Sequence, residues 1–342
     1  MRILLSPVEI ASQLYYTARG LALLGHQVET AFPVTPSLLH PPNHALHTEP
    51  RWRYLLERLR LAVSTLGRFD IYHYYNGLSL LAERYRFLDA RLNAALGKKV
   101  VVEYCGTDVR IASFERQRNP YYVDGYHETA ADEDRKRRWM DLWASLTGGH
   151  AIVTDYTVAG YITPHFSQVH LLRHRLDVEA FTPAYPAPET TTPTIVHAPS
   201  NPTVKGTPYL RAAVETLKKQ GLQFNYIELV GVPHRQVLET IANADIVVDQ
   251  LCIGYYGVFA VEALCQGKPV ICYMLPETVP TYPPDLPIIQ ANPDTIATVL
   301  EEWLTAPGSR RHQCGVASRA YAERTHDYRA ITRQVADIYA AL

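Results

Sequence analysis

Along the 342-residue chain, short apolar blocks alternate with amphipathic stretches. Residues 2–6 form an apolar run able to open a parallel sheet. Residues 13–24 follow with helical spacing, and Gly25-His26 closes that helix. Further buried-strand blocks lie at 27–32, 70–75, 99–104, 151–155 and 168–172. Strand, helix, strand in this rhythm predicts an α/β fold with a doubly wound parallel sheet. The rhythm breaks at 182–193, TPAYPAPETTTP, where four prolines and four threonines stand without a large aliphatic side chain. Such a segment reads as an extended linker. Beyond it the alternation restarts, with strands expected at 194–198, 224–230, 245–251, 269–273 and 287–290. Helices are expected at 207–219, 234–243, 257–266, 293–304 and 309–324, with a separate last helix at 328–341. The resulting plan is a first Rossmann-like domain over 1–181, a linker over 182–193, and a second such domain over 194–327. The helix in 328–342 is expected to cross back to the first domain. Two such domains make a cleft, the usual ligand site of these sheets.

Composition adds little beyond exclusions. The net charge is −1, from 33 basic and 34 acidic residues, so nothing global points to nucleic acid. The 23 tyrosines outnumber 8 phenylalanines and 4 tryptophans, and a flat face with a hydroxyl suits sugars as well as interfaces. Five cysteines without CxxC spacing read as reduced thiols of a cytoplasmic protein. The N-terminus is too short in apolar residues for a signal peptide, and no stretch approaches a membrane span.

The chemistry concentrates in the second half. Gly254 and Gly257 flank Tyr255-Tyr256 just before a helix, and a glycine-rich turn feeding a helix offers unpaired amides to a diphosphate. Glu262 lies near the start of that helix, and Lys205 precedes another, where its ammonium can meet phosphates. The string Gly257-Val258-Phe259-Ala-Val-Glu262-Ala-Leu-Cys-Gln-Gly267-Lys-Pro-Val270-Ile resembles the donor-site signature of glycosyltransferase family 4. Ala244-Asp245-Ile, Val204-Lys205-Gly206, Gly106-Thr107-Asp108-Val109-Arg110 and Leu176-Asp177 to Phe181 resemble further motifs of that family, in the expected order.

The resemblance implies a GT-B fold and a retaining, metal-independent transfer from a nucleotide-diphosphate sugar to a carbohydrate or lipid-linked acceptor. No cofactor and no nucleic-acid partner are expected. The donor site would comprise Lys205, Glu262 on the ribose hydroxyls, Gly254, Tyr256, Gly257, Val258, Phe259, His197 and Asn201. The acceptor side would comprise Ala11, Ser12, Gln13, Gly106 and Thr107. Ala11 and Ser12 stand where the family has a glycine pair; they either admit a ligand or form an ordinary turn with Ser12 as helix cap.

Three positions depart from the family pattern. Gly254 occupies the place of the first glutamate of the Glu-x7-Glu pair, with Asp249 the nearest carboxylate able to compensate. The arginine preceding the lysine-glycine pair is missing, and His197 or Arg235 would have to supply its group. Cys105 replaces a histidine before Gly106. Cys105, Asp108 and Asp249 are therefore the catalytic candidates, and a catalytically weakened sugar-nucleotide or glycan-binding protein is the alternative reading.

Two further signals complete the picture. Asp132-Glu133-Asp134 has metal-site spacing but precedes four basic residues, which predicts i,i+4 pairs Asp132/Lys136, Glu133/Arg137 and Asp134/Arg138 on a solvated helix, and no metal. Residues 51–68 carry five arginines and one glutamate, with Leu55, Leu59, Ala62, Val63 and Leu66 as an apolar stripe and Trp52 near its start. Such a helix either touches an anionic membrane peripherally or packs on its domain with a basic outer face.

Overall fold

A computed structural model describes residues 1–35, 39–125 and 127–342. The chain divides into two compact units, each built on a parallel sheet. The first contains Met1–Ile111, Thr129–Leu176 and Tyr328–Leu342; the second contains Ala112–Glu128 and Asp177–Asp327. A linear division at the proline-rich segment would not separate 112–128 or 177–181 in this way.

In the first unit the strands are β1 (Arg2–Ser6), β2 (Gln27–Pro33), β3 (His44–Leu46), β4 (Ile71–Tyr75), β5 (Lys99–Tyr104), β6 (His150–Val153) and β7 (Gln168–Leu171). They form a seven-stranded sheet in the order β3-β2-β1-β4-β5-β6-β7. Its helices include α1 (Gln13–Leu23), α2 (Arg51–Thr65), α3 (Leu88–Ala95) and, after the short α4 (Ala112–Arg118) of the second unit, α5 (Ala130–Leu146). One sheet face is covered by α1 and the terminal helix Tyr328–Ala341: Ile3, Leu5 and Tyr75 pack with Leu14, Leu21, Ile331, Val335 and Tyr339. Gly20 permits that close pairing, since a Cβ there would collide with Thr332. The opposite face carries Tyr72 and Tyr74, the latter 5.3 Å from the Trp143 ring of α5.

The second unit has β8 (Thr194–His197), β9 (Asn225–Glu228), β10 (Ile246–Val248), β11 (Val270–Cys272) and β12 (Ile288–Gln290), in the order β12-β11-β10-β8-β9. The chain runs from β8 to one neighbour and then returns to its other side as β10. That reversal opens a crevice beyond the carboxyl ends of β8 and β10, where ligands of such sheets sit.

The strand blocks of the sequence all appear, with ends that match or shift by up to three residues. The edge strand β3 and helix α3 were not foreseen: three residues are too few to show a period, and α3 starts at Phe87 in a left-handed conformation, φ +52°, without a capping side chain. The packing expectation for α2 needs correction. Leu61, Ala62 and Thr65 are its buried residues, whereas Trp52, Leu55, Leu59 and Val63 are exposed. On α5 the expected pairing holds only for Glu133 and Arg137, at 3.3 Å. Arg135 and Arg137 reach back three residues to Asp132 and Asp134, and the Lys136 ammonium instead donates to the carbonyls of Thr107 and Arg110. Asp132 joins Thr129 in a capping box, so its carboxylate is used by the helix start.

Beneath the carboxyl end of β5 lies a wholly buried ionic cluster. Arg175 donates to the Glu103 carboxylate, His73 Nε2 lies 3.4 Å from its second oxygen, and His73 Nδ1 lies 2.6 Å from the Tyr339 hydroxyl. Burial alone would raise the Glu103 carboxyl, but Arg175 and His73 pull it down to about 2. Breaking such a pair strands a charge in the interior. Glu103→Gln is therefore expected to lower unfolding free energy by about 3–5 kcal/mol in urea titrations. The wild-type contribution is fully present above the ordinary carboxyl value of 4.5 and lost as pH falls through about 2. Stability of the variant within about 1 kcal/mol of wild type would contradict the assignment.

Candidate functional site

At the reversal of the second sheet, the structure gathers three sequence-predicted residues. Lys205 ends the short helix that follows β8, Asp249 stands one residue beyond β10, and Gly257 opens the Val258–Cys265 helix. Asp249 is buried; its Oδ2 accepts from the Gly257 amide at 2.7 Å, and its Oδ1 lies 3.4 Å from Lys205 Nζ. Lys205 Nζ also donates to the Gln250 side chain. A Cβ on Gly257 would sit 3.6 Å from both Asp249 Oδ2 and Lys205 Nζ, so little room separates the helix start from the ammonium. The amides of Val258 and Phe259 belong to the first helical turn and have no partner within the helix. Together with Lys205 they concentrate positive potential at one point, the arrangement an anion requires.

One turn further along the same helix, Glu262 is largely buried and its Oε1 lies 2.7 Å from His234 Nε2. That hydrogen bond raises the imidazole's proton affinity above its usual value against the opposing effect of burial. His234 escaped the sequence reading. Its signal was the Gly231-Val232-Pro233 turn after β9, which delivers the first residue of the His234–Ala242 helix to Glu262.

Other donor-side expectations meet a different environment. His197 is buried, with Nδ1 2.8 Å from the Val248 carbonyl and Nε2 2.9 Å from Thr207 Oγ1, so both ring nitrogens brace β8 against β10 and the following helix. Asn201 caps the Pro202–Lys205 helix by accepting from the Val204 amide. The buried Tyr256 hydroxyl lies 3.0 Å from His326 Nε2, which turns its ring into the packing of the Gly308–Thr325 helix. Arg235 pairs with Glu239 on the exposed side of its helix and does not supply the missing arginine's charge.

Gly254 explains its own departure from the family pattern. Its φ is +94°, and a Cβ would approach Leu275 Cγ to 2.6 Å. A glutamate cannot stand there without rebuilding the turn. Nor is Asp249 a ready substitute, because both its oxygens are engaged.

In the first unit, the β1–α1 loop is held by its own side chains. Glu9 accepts from the Leu14 and Tyr15 amides at 3.2 and 2.9 Å, and so caps α1 in place of Ser12, whose side chain makes no cap bond. Ala11 and Ser12 take φ values of +49° and +61°, the left-handed region that the family's glycines would enter freely. Gln13 is buried and exchanges hydrogen bonds with the Arg175 backbone. After β5, the Asp108 carboxylate accepts from the Gly106 and Cys105 amides, Gly106 has φ +138°, and Thr107 is exposed. Burial raises the Asp108 carboxyl against these amides, and burial likewise pushes the Cys105 thiol well up, so the thiol stays protonated and is a weak donor. Asn76, Gly77, Tyr104, Asp108, Trp139 and Trp143 line a cavity of about 190 Å³ beside this loop. The cluster Tyr72 to Tyr75 is consumed by packing: Tyr74 donates to Asp89 and Tyr75 to Thr17. Among the described residues, no group of three or more His, Cys, Asp or Glu could hold a metal.

No family model matches the chain, and no curated protein matches it in sequence. Solved structures do match. Sucrose-phosphate synthase from Thermosynechococcus elongatus aligns with a TM-score of 0.67 at 15% identity, over 99% of this chain and 98% of that one. HepE from Anabaena, in complex with UDP-glucose, gives 0.65 at 12% identity over 100% of both chains. WaaG, a glycosyltransferase involved in lipopolysaccharide biosynthesis, gives 0.60 at 13% identity over 99% of each. The two doubly wound units thus have the GT-B fold.

The turn at 254 is testable directly. Gly254→Ala combines a left-handed backbone with a clash against Leu275, and is expected to reduce stability by about 2–4 kcal/mol in denaturant titrations. An unchanged midpoint would show that the turn tolerates a side chain.

Proposed function

We propose that the chain is a glycosyltransferase of the family-4 kind, moving a sugar from a nucleoside-diphosphate donor to an acceptor hydroxyl with retention and without a metal. The observation that carries this reading is the meeting of Lys205 with the start of the Val258–Cys265 helix, which carries Glu262 one turn further on. When the bond from the sugar's anomeric carbon to the diphosphate breaks, negative charge grows on the leaving oxygen. A fixed ammonium and helix-start amides stabilise that charge as it develops. Glu262 would accept from the ribose hydroxyls, with His234 holding the carboxylate in place. The acceptor is assigned to the first unit, at Ala11–Gln13, Gly106 and Thr107; the neighbouring cavity at Asp108, with Trp139 in its wall, adds an aromatic face that suits a sugar. UDP-glucose, which HepE binds in its complex, is the first donor to try.

A second reading is a GT-B protein that binds a sugar nucleotide or glycan and turns over weakly. The engagement of Lys205 with Asp249 and the side-chain-free turn at Gly254 favour it.

Incubation with UDP-, GDP- and ADP-sugars, with and without chelator, separates the two. The transferase reading predicts chelator-insensitive nucleotide release, reduced about tenfold or more by Lys205→Ala and abolished by Glu262→Ala. Donor binding without release would favour the binding protein, and absence of binding would defeat the transferase reading and leave the second only as a glycan binder.

A further inference from the structure

Helix α2 is apolar on two sides. Its inward side buries Leu61, Ala62 and Thr65, and Arg58 ties it down by donating to the carbonyls of Leu80 and Ser79. Its outward side presents Trp52 (69% exposed), Leu55, Leu59 and Val63 (68% exposed), spaced i, i+3, i+7, i+11. That spacing draws one line along the helix. Helix α3 repeats the pattern, with Leu88, Leu92 and Leu96 exposed at i, i+4, i+8. The two helices meet at their C-terminal ends: the Gly67 amide donates to Asn93 Oδ1 at 3.0 Å, and Leu96 Cδ1 lies 3.4 Å from where a Gly67 Cβ would be.

Arginines border both rows. Arg51, Arg53 and Arg60 on α2, and Arg84, Arg86 and Arg91 on or beside α3, are exposed. The acidic residues within the two helices are withdrawn: Glu57 accepts from the His47 amide and Arg53, and the buried Asp89 accepts from Tyr74, Ser79 and the amides of Leu80 and Leu81. A chain of net charge −1 therefore keeps a strongly positive surface here.

We infer that the α2–α3 face docks on an anionic phospholipid bilayer, with Trp52 and the aliphatic rows entering the boundary between headgroups and acyl chains and the arginines meeting lipid phosphates. The combination selects this partner. A nucleic-acid backbone would use the arginines but leave the leucine and valine rows in water, with no gain from burying them. A second copy placed face to face would set arginine rows against each other. The inference stands apart from the proposed activity, because it uses no residue of the donor or acceptor sites.

Sedimentation of the full chain with vesicles tests it. Binding is expected to vesicles of phosphatidylcholine with phosphatidylglycerol but not to phosphatidylcholine alone, and to weaken with salt. Trp52→Ser with Val63→Ser, both at exposed positions, should lower the partition coefficient at least tenfold at an unchanged melting temperature. Arg51→Gln and Arg60→Gln should each lower it about fivefold. Failure of the wild type to sediment with anionic vesicles overturns the inference. So does sedimentation of the Trp52/Val63 double variant equal to wild type, or retention by duplex DNA with none by vesicles.

Discussion

Asp249 is an acid in an interior that tolerates charge only when it is matched, and the site around it follows from how that match is made. Its two oxygens bind an amide from one element and an ammonium from another: Gly257 at the mouth of the Val258–Cys265 helix and Lys205 beyond β8. The consequence is geometric. The segment 250–257 must fold back so that the Gly257 amide reaches the carboxylate, and the turn this requires passes through a left-handed Gly254 pressed against Leu275. Helix start and lysine are then held at one corner of the sheet reversal.

The same contact sets the electrostatics. An incoming diphosphate would find Lys205 already facing a carboxylate, so part of the ammonium's field is spent before any ligand arrives. The carboxylate takes the Gly257 amide and leaves those of Val258 and Phe259 unbonded, but its charge at the helix start weakens the positive potential there as well. Affinity for a nucleoside diphosphate would therefore rest on the amides and on Lys205 jointly, while Glu262 with His234 would recognise the sugar ring of the nucleoside. In the first unit the polar residues near the strand ends are largely spent on the loops that carry them: Glu9 caps α1, Gln13 grips the Arg175 backbone, and Asp108 closes the turn at Gly106. Shape and aromatic surface around Tyr104 and Trp139 are what that unit offers a ligand.

Much of the architecture could be read from the chain because parallel strands buried on both faces leave short apolar runs such as 100–102 and 246–248 between turn residues. The strand β3 left no such mark. For α2, periodicity identified the helix but not its orientation; an apolar stripe says that one side is alike, and only packing reveals that Leu61 and Ala62 face inward while Trp52 and Val63 face out. The candidate site was legible where chain chemistry and position coincide, as where Lys205 and Gly257 come together on Asp249. It was illegible where the fate of a polar atom depends on distant partners. The ring nitrogens of His197 and the hydroxyl of Tyr256 are consumed by Val248, Thr207 and His326, residues that sequence spacing does not bring near. His234 shows the reverse case, a residue of no evident motif that lies 28 positions before Glu262 and is carried to it by the turn that precedes its helix.

The central claim is that the reversal of the second sheet grips a diphosphate. Calorimetric titration of UDP, GDP and ADP against their free nucleosides addresses it most directly. The account predicts that at least one diphosphate binds about a hundredfold or more tighter than its nucleoside, and that the difference shrinks as salt is raised. Equal affinity for nucleoside and nucleotide, or no heat from either, would contradict it.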